Sequence, residues 1–445
     1  MNKIIFLSSG TVCNKNAYKK YATDNGNYQQ LYLNYGMLGL ATNLRKKGYE
    51  VIMYQANEKT PQDFLDEIQL NCKINEIYPV FLSIPSFYQV EWTVLFSNLW
   101  KKAYPSSKLI AGGRWVIDKN LNWICNKLPQ IDFFIKGCPD EDMEQFLDEQ
   151  NWKNCRYEFQ YQKPFDYFYY PLLNNYKQYQ PIIEVSRGCG GGCDFCLESQ
   201  YKVCKMKTPR QVIDEAEMIL RQYEIEKTGE REFYFYFEGA MLAPTKSWAK
   251  DFSELYHKRN HHFGFRMQSR VDCLLPEVLK ILGSCGLRVV DFGLESASST
   301  QLLRMEKTKY PQIYLERAEK LLRVGKESGV WSKLNILLYP GETMSTIKET
   351  KMWLRKVKSN VKGISCNGLV IYLNGKDTDS YVDTIERMAG VSIDRNTLYR
   401  QGYVNARLGT GIDEEKIVNE FYQEFMTEQD YMDLKKITYL RRIEG

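Results

Sequence analysis

The sequence predicts an α/β protein in three parts: a doubly wound (Rossmann-like) parallel sheet over residues 1–150, a partial barrel of about six β/α units over 182–373, and a short, mostly helical region over 374–445. An aromatic-rich connector, 151–181, joins the first two. Three observations carry this prediction. Strand-length apolar segments alternate with helix-length amphipathic ones through both halves. With 445 residues, 44% hydrophobic and 14% aromatic, the chain has material for about two to four domains with cores, and its composition is the reverse of a disordered one. No run approaches about 18 uncharged apolar residues, so no membrane span is expected.

Residues 3–8 make a short apolar strand. Their run from Ile4 to Leu7 is far below the roughly 7–15 residues of a secretion-signal core, so a cytoplasmic protein is expected. Residues 31–47 carry apolar side chains at helical spacing and stop at Gly48. Strands at 49–54, 78–84, 108–111 and 131–135 then alternate with helices at 61–70, 90–103, 118–128 and 141–150. Such alternation implies parallel pairing through right-handed crossovers, with ligands beyond the carboxyl ends of the strands. Four loops fall on that edge: 8–11, 83–86, 112–115 and 137–140. Tyrosines and phenylalanines crowd between Tyr157 and Tyr179 while glycine and serine are scarce, so 151–181 reads as an ordered connector packed on a domain surface. Alternation resumes with strands at 182–185, 232–237, 264–268, 289–292, 333–338 and 364–373. Helices are expected at 209–222, 245–256, 277–285, 299–305, 313–328 and 343–357. The chemistry of a β/α barrel sits at the C-terminal mouth of its strands, and the tail, 374–445, is expected to close that mouth.

Sixty basic residues against 55 acidic ones give a charge of +5, and the basic clusters at 45–47 and 435–442 are short. Solvated helix faces account for them, and no nucleic-acid partner is expected. Twelve cysteines are too dilute for a disulfide framework. Cys189, Cys193 and Cys196 stand apart, within eight residues.

There a strand runs into Ser186-Arg187-Gly188-Cys189-Gly190-Gly191-Gly192-Cys193-Asp194-Phe195-Cys196, a glycine-rich loop with thiols at Cys-x3-Cys-x2-Cys. Thiolates on a tight loop bind soft metals. An iron–sulfur cube ordinarily takes four cysteines, so three leave one iron with an open position, as a catalytic metal needs. The glycines let the backbone wrap a cluster and aim its N–H groups at the sulfides. Structural zinc is the alternative, with Cys204 near enough in sequence to be its fourth ligand; His257, His261 and His262 lie far along the chain. Cys204, Cys273, Cys285 and Cys366 form no close pair and otherwise read as buried or incidental thiols.

The signature, with Phe195 before its last cysteine, resembles that of the radical S-adenosylmethionine (SAM) superfamily. The phrase Ser186-Arg187-Gly188-Cys189 resembles the branch that carries an N-terminal cobalamin-binding domain, with Gly190 where that branch commonly has proline. Phe292-Gly293-Leu294-Glu295-Ser296-Ala297-Ser298, the stretch from Leu302 to Lys307, and Tyr339-Pro340-Gly341-Glu342-Thr343 are similar to later motifs of that branch. Ala111-Gly112-Gly113 and the stretch from Ile131 to Gly137 sit where its N-terminal domain has ligand loops. The resemblance spans roughly residues 30–360.

That resemblance implies a [4Fe–4S] cluster that chelates SAM at its open iron, reductive cleavage to methionine and a 5′-deoxyadenosyl radical, and hydrogen abstraction from substrate. A flavodoxin- or ferredoxin-type protein would supply the electron. Residue by residue, Cys189, Cys193 and Cys196 would hold the cluster, and Phe195 would pack near the adenine. Glu238-Gly239 would contact the methionine amino group, Arg270 would pair with the carboxylate, and Glu295 and Ser296 would meet the ribose hydroxyls. Plain structural roles compete: Arg270 as ion-pair partner of Asp272, Glu295 as a strand-end cap, and Glu342 as a carboxylate at a helix N-terminus.

Cobalamin is the less complete part of the match. The branch's Gly-Glu-Gly-Glu loop is here Gly137-Cys138-Pro139-Asp140, and no Asp-x-His-x-x-Gly is present to ligate cobalt. With cobalamin, the expected reaction is methyl transfer to an unreactive carbon of a peptide or small metabolite. Without it, the expected reaction is a radical cyclisation, epimerisation or rearrangement beside a degenerate N-terminal domain. Tyr381, Arg387, Tyr399, Arg400, Tyr403 and Arg407 in the tail would suit a polar peptide or a small metabolite equally.

Overall fold

The computed structural model describes residues 3–11, 28–30, 32–74, 76–114, 116–117, 120–152, 163–225, 233–373, 377–437 and 440–442. Cys13, Leu31, Trp115, Asp118, Cys155, Tyr157 and Glu232, to which the sequence reading extends, lie outside the described residues.

Five parallel strands form the N-terminal sheet, side by side in the order Val51–Gln55, Ile4–Ser8, Val80–Ser83, Leu109–Gly112 and Phe133–Ile135. This is the doubly wound arrangement predicted, with the winding reversing between Ile4–Ser8 and Val80–Ser83. Ile4–Ser8 is buried along its whole length, as an apolar strand covered on both faces must be. Asn34 caps helix Tyr35–Lys46 by accepting from Met37 N, which starts the helix later than its apolar periodicity alone predicts. Its Nδ2 also donates to Ser8 Oγ and Ser83 Oγ, 2.9 Å each, bridging the strands at the reversal point. The helix expected at 141–150 breaks into a 3-10 turn, Met143–Leu147, and a single turn, Glu149–Trp152. Asp148 Oδ1 accepts from Gln150 N at 3.0 Å, a local bond that competes with the helical ladder.

Within the connector, residues 163–181 are bolted to both neighbours. Tyr169 N donates to Thr42 Oγ1 (3.0 Å), Tyr170 N to Gln222 Oε1 (2.7 Å) and Tyr170 OH to Ile182 O (2.9 Å). Six parallel strands follow in chain order: Ile182–Glu184, Tyr234–Glu238, Gly264–Arg270, Leu287–Glu295, Trp331–Leu338 and Gly363–Gly368. The first and last do not pair, so the barrel is open. Local signals set its helices. Thr208 and Gln211 form a capping box for Pro209–Gln222, and Thr343 and Thr346 do so for Met344–Val357.

The strand expected at 364–373 is two. Gly368 ends the barrel strand against Glu414, whose Oε1 would lie 2.1 Å from any Cβ there, and Val370–Tyr372 turns away to pair antiparallel with Tyr403–Asn405. The tail divides as well. Val382 and Ile385 of helix Thr378–Ala389 pack near the mouth with Tyr339, Ile84 and Phe87. Helix Glu428–Ile437 instead plugs the base, where Leu434 and Ile437 meet Val289, Tyr234 and Trp331 at the starts of barrel strands. Lys362 Nζ, just before the sixth strand, holds Asp430 (2.8 Å) and Asp433 (2.9 Å) of that helix. The first half of the tail therefore stands at the mouth, and the apolar face of helix Glu428–Ile437 covers the opposite opening. Among the described residues no helix is long and apolar enough to cross a membrane.

Candidate functional site

The thiol loop begins where the first barrel strand ends. Gly188 has φ +75°, and a Cβ there would lie 2.1 Å from the Lys202 carbonyl oxygen, so only glycine fits. That close approach lets Cys189 N and Gly190 N both donate to Tyr201 O, at 3.0 and 2.8 Å. Farther along, Cys196 N donates to Cys193 O (3.2 Å) and Asp194 N to Met305 O (3.0 Å), while Tyr339 OH donates to Asp194 Oδ2 (2.8 Å). Asp194 is thus turned to Tyr339, and Phe195 packs edge-on to the same tyrosine, 6.4 Å between centroids.

The three thiols sense one another: burial pushes the Cys196 thiol up, and the neighbouring Cys193 and Cys189 push it further. Cys204 lies elsewhere. Its N–H donates to Arg187 O at 2.9 Å, and its charged neighbours are Arg187 and Glu184. His261 is buried against Glu217 at 3.2 Å. Among the described residues no three metal-ligating side chains gather as a single ion requires. The Cys-x3-Cys-x2-Cys spacing fits a [4Fe–4S] cluster, which takes one thiolate per iron.

Other strand ends converge on this loop. Arg270, ending the third strand, donates from Nη1 to Cys193 Sγ at 3.2 Å and holds Asp272 through Nε and Nη2, both 2.9 Å. Burial opposes both charges, yet each partner's hydrogen bond and charge win: the guanidinium lies above its ordinary range and the Asp272 carboxyl below its own. Glu295, ending the fourth strand, sits at φ +67°, a costly conformation for a non-glycine residue, and accepts from Lys307 Nζ at 3.1 Å. Ser296 turns inward, its hydroxyl 3.1 Å from Thr350 Oγ1 and accepting from Ser298 N. That hydroxyl caps structure where the ribose was expected. Glu238 ends the second strand, its carboxyl pushed up to about 7 by burial, with the charge of Glu184 adding. Beside it a Cβ on Gly239 would lie 2.7 Å from Ser186 Oγ, and that hydroxyl is buried with no hydrogen-bond partner among the described residues. Glu342 accepts from Thr346 Oγ1 at the start of helix Met344–Val357, the structural role considered for it. Sequence marks Lys307 and Tyr339 only as members of motifs; their contacts with Glu295 and Asp194 join strand ends that sequence leaves far apart.

On the N-terminal side, a cavity of about 360 Å³ lies beyond the carboxyl ends of the sheet. Phe6, Phe81 and Met37 give it an apolar lining, Gly112 and Gly137 lie in the loops that border it, and Glu184 and Arg187 of the barrel also line it. Of the four expected ligand loops, those at 83–86, 112–115 and 137–140 contribute; Gly10 of the loop at 8–11 is packed against Asn57 O and Trp92. Arg187 joins the two halves. It donates from Nε and Nη2 to Glu184, at 2.7 and 3.0 Å, and from Nη1 to Asp140, with its guanidinium 4.6 Å over the Phe165 ring. A second ion pair, Arg114 with Glu198, crosses the same junction. Beside Asp140, burial pushes the Cys138 thiol up to about 12, so it stays protonated.

Residues 183–354 match the model of the radical SAM superfamily. No curated protein matches the chain in sequence. Among solved structures, TsrM from Kitasatospora setae, a radical SAM methyltransferase solved with tryptophan and a SAM analogue, matches at TM-score 0.62 and 14% identity, over 86% of this chain and 76% of its own. OxsB, a cobalamin-dependent SAM radical enzyme solved with aqua-cobalamin and SAM, matches at TM-score 0.63 and 14% identity, over 95% of this chain and 66% of its own. At such identities the likeness is one of fold, and it extends across the N-terminal sheet as well as the barrel. Residues 183–354 are thus similar to the radical SAM superfamily, and the fold of the chain, its N-terminal sheet included, is similar to those of TsrM and OxsB.

Proposed function

We propose that the chain is a cobalamin-dependent radical SAM methyltransferase acting on an unreactive carbon of a peptide or small metabolite. The observation that supports this best is the cavity: it lies at the ligand edge of a doubly wound sheet and is walled by Glu184 and Arg187, which lead directly into Cys189. TsrM has been solved with cobalamin and a [4Fe–4S] cluster bound. Among the described residues no histidine lines the cavity, so a corrinoid seated against its apolar lining would have no histidine ligand to cobalt from it.

When bound, the reduced cluster supplies the electron that cleaves SAM, and cobalamin supplies the methyl group. The chain's own residues bind and orient. Cys189, Cys193 and Cys196 hold the cluster on a loop whose curvature Gly188 fixes. Ser186 Oγ, buried beside Glu238-Gly239 and unpartnered among the described residues, would meet the amino-acid end of SAM, and Glu295 with Lys307 would border the nucleoside side. Arg187 and Arg114 lock the cavity's domain to the loop, so that two cofactors would meet at a fixed separation. A flavodoxin- or ferredoxin-type protein would deliver the electron.

The test is oxygen-free purification from a cobalamin-fed host, with iron, sulfide and corrinoid counted per chain and products weighed for a gained methyl group. Cluster and corrinoid with a methylated product support the proposal. A cluster without corrinoid, turning over without methyl gain, would instead select radical cyclisation, epimerisation or rearrangement. Zinc without inorganic sulfide would overturn both.

A further inference from the structure

Arg270 was expected to grip the carboxylate of SAM, but the structure commits its guanidinium otherwise. Nε and Nη2 close on the two oxygens of Asp272, 2.9 Å each; Nη2 gives its other hydrogen to Lys307 O at 2.8 Å. The planar edge suited to a carboxylate is therefore already filled by one. What remains is Nη1, and it donates to Cys193 Sγ at 3.2 Å. Glycine at 191 keeps that approach open, since a Cβ there would stand 3.4 Å from Nη1 and 3.2 Å from Cys189 Sγ. Three anchors thus aim a half-buried cation at one thiol of the loop.

We infer that Arg270 is a positioning residue for the cluster, donating an N–H···S bond to Cys193 that raises the cluster's reduction potential, and is not the ligand of the SAM carboxylate. This rests on the proposal that Cys193 is a cluster ligand. Reduction adds one electron from the donor protein to the cluster and leaves more negative charge on its sulfurs. A hydrogen bond from a cation stabilises that electron-rich state more than the oxidised one. Asp272 and Lys307 O act through Arg270, fixing the direction of its Nη1.

The experiment is an EPR-monitored redox titration of the reconstituted full-length protein without SAM, on wild type, Arg270→Gln and Asp272→Asn, with SAM affinity measured alongside. Arg270→Gln is expected to lower the ratio of reduced to oxidised cluster at a fixed potential by about three- to tenfold, tenfold being about 59 mV for one electron. Asp272→Asn keeps the cation but loosens its aim, so a smaller shift of the same sign is expected, and this variant carries the test if Arg270→Gln does not fold. SAM affinity should change by less than about threefold in both. An unchanged potential overturns the inference, and if SAM binding falls tenfold at the same time, Arg270 is the carboxylate ligand after all. A wild-type protein that holds no cluster fails the proposed function itself, and the inference with it.

Discussion

Replacing Gly188 by alanine tests the thiol loop at its tightest point. The left-handed backbone there, φ +75°, costs an L-residue about 1–2 kcal/mol. The new Cβ would stand 2.1 Å from Lys202 O, 2.8 Å from Lys202 C and 3.0 Å from Tyr201 O, all backbone atoms that no rotamer change can move aside. Reaching ordinary contact at 3.4 Å requires a retreat of 1.3 Å from Lys202 O. Such a retreat stretches the bonds that Cys189 N and Gly190 N make to Tyr201 O, now 3.0 and 2.8 Å, beyond hydrogen-bonding range. Two bonds at about 1 kcal/mol each bring the total to about 3–4 kcal/mol, spent where Cys189 must hold its position. The expected outcome is a lower urea midpoint and, after anaerobic reconstitution, less than half the wild-type iron and sulfide per chain. Gly192→Ala is the control: nothing lies within 4 Å of a Cβ there, so stability should change by under about 0.5 kcal/mol. If Gly188→Ala keeps a full cluster and the wild-type midpoint, the close approach to Lys202 does not shape the site.

Cys193→Ala should abolish both the brown colour and SAM cleavage while the far-ultraviolet circular dichroism stays native; keeping both would refute its assignment as a ligand. Arg187→Met should cost about 3–5 kcal/mol in chemical denaturation, because it leaves Glu184 buried without its cation, and adding Glu184→Gln should recover most of that. Equal losses in the single and double variants would show that the pair is not the cause. Glu342 gives a pH dependence. Burial raises its carboxyl to about 7 against the lowering hydrogen bond from Thr346, so its stabilising contribution is complete below the ordinary 4.5 and fades as pH rises through about 7. Wild type should lose up to about 3 kcal/mol between pH 5 and pH 8 from this group, and Glu342→Gln should flatten that part of the urea-midpoint profile.

What the sequence made legible is what local chemistry decides. Helices Val90–Ala103 and Pro209–Gln222 begin and end where they were read, the latter because Thr208, Pro209 and Gln211 carry their instructions within one turn. The sheets were legible because strands of parallel β/α units are buried on both faces and read as continuous apolar runs. The strand break at Gly368 was not, since its cause, Glu414, belongs to a distant helix. The same division runs through the site. Cys-x3-Cys-x2-Cys is a local spacing, but whether Arg270 serves Asp272 or a ligand depends on Lys307 O, which only the folded chain brings near. The loop Gly137-Cys138-Pro139-Asp140 shows how a local reading can mislead. Set against Gly-Glu-Gly-Glu it looks like decay, because proline withdraws a backbone donor. Yet its last residue is still a carboxylate, and that carboxylate is the one that Arg187 reaches from the cluster motif. Arg187 needs it: Glu184 takes Nε and Nη2, and Asp140 is what engages Nη1 and ties the N-terminal sheet to the barrel. The Arg187–Asp140 pair is part-buried, with Arg187 the more enclosed partner, and it stands at the ligand edge of the sheet, where desolvation makes an ion pair costly. On the proposed function, this junction would set the distance between two bound groups.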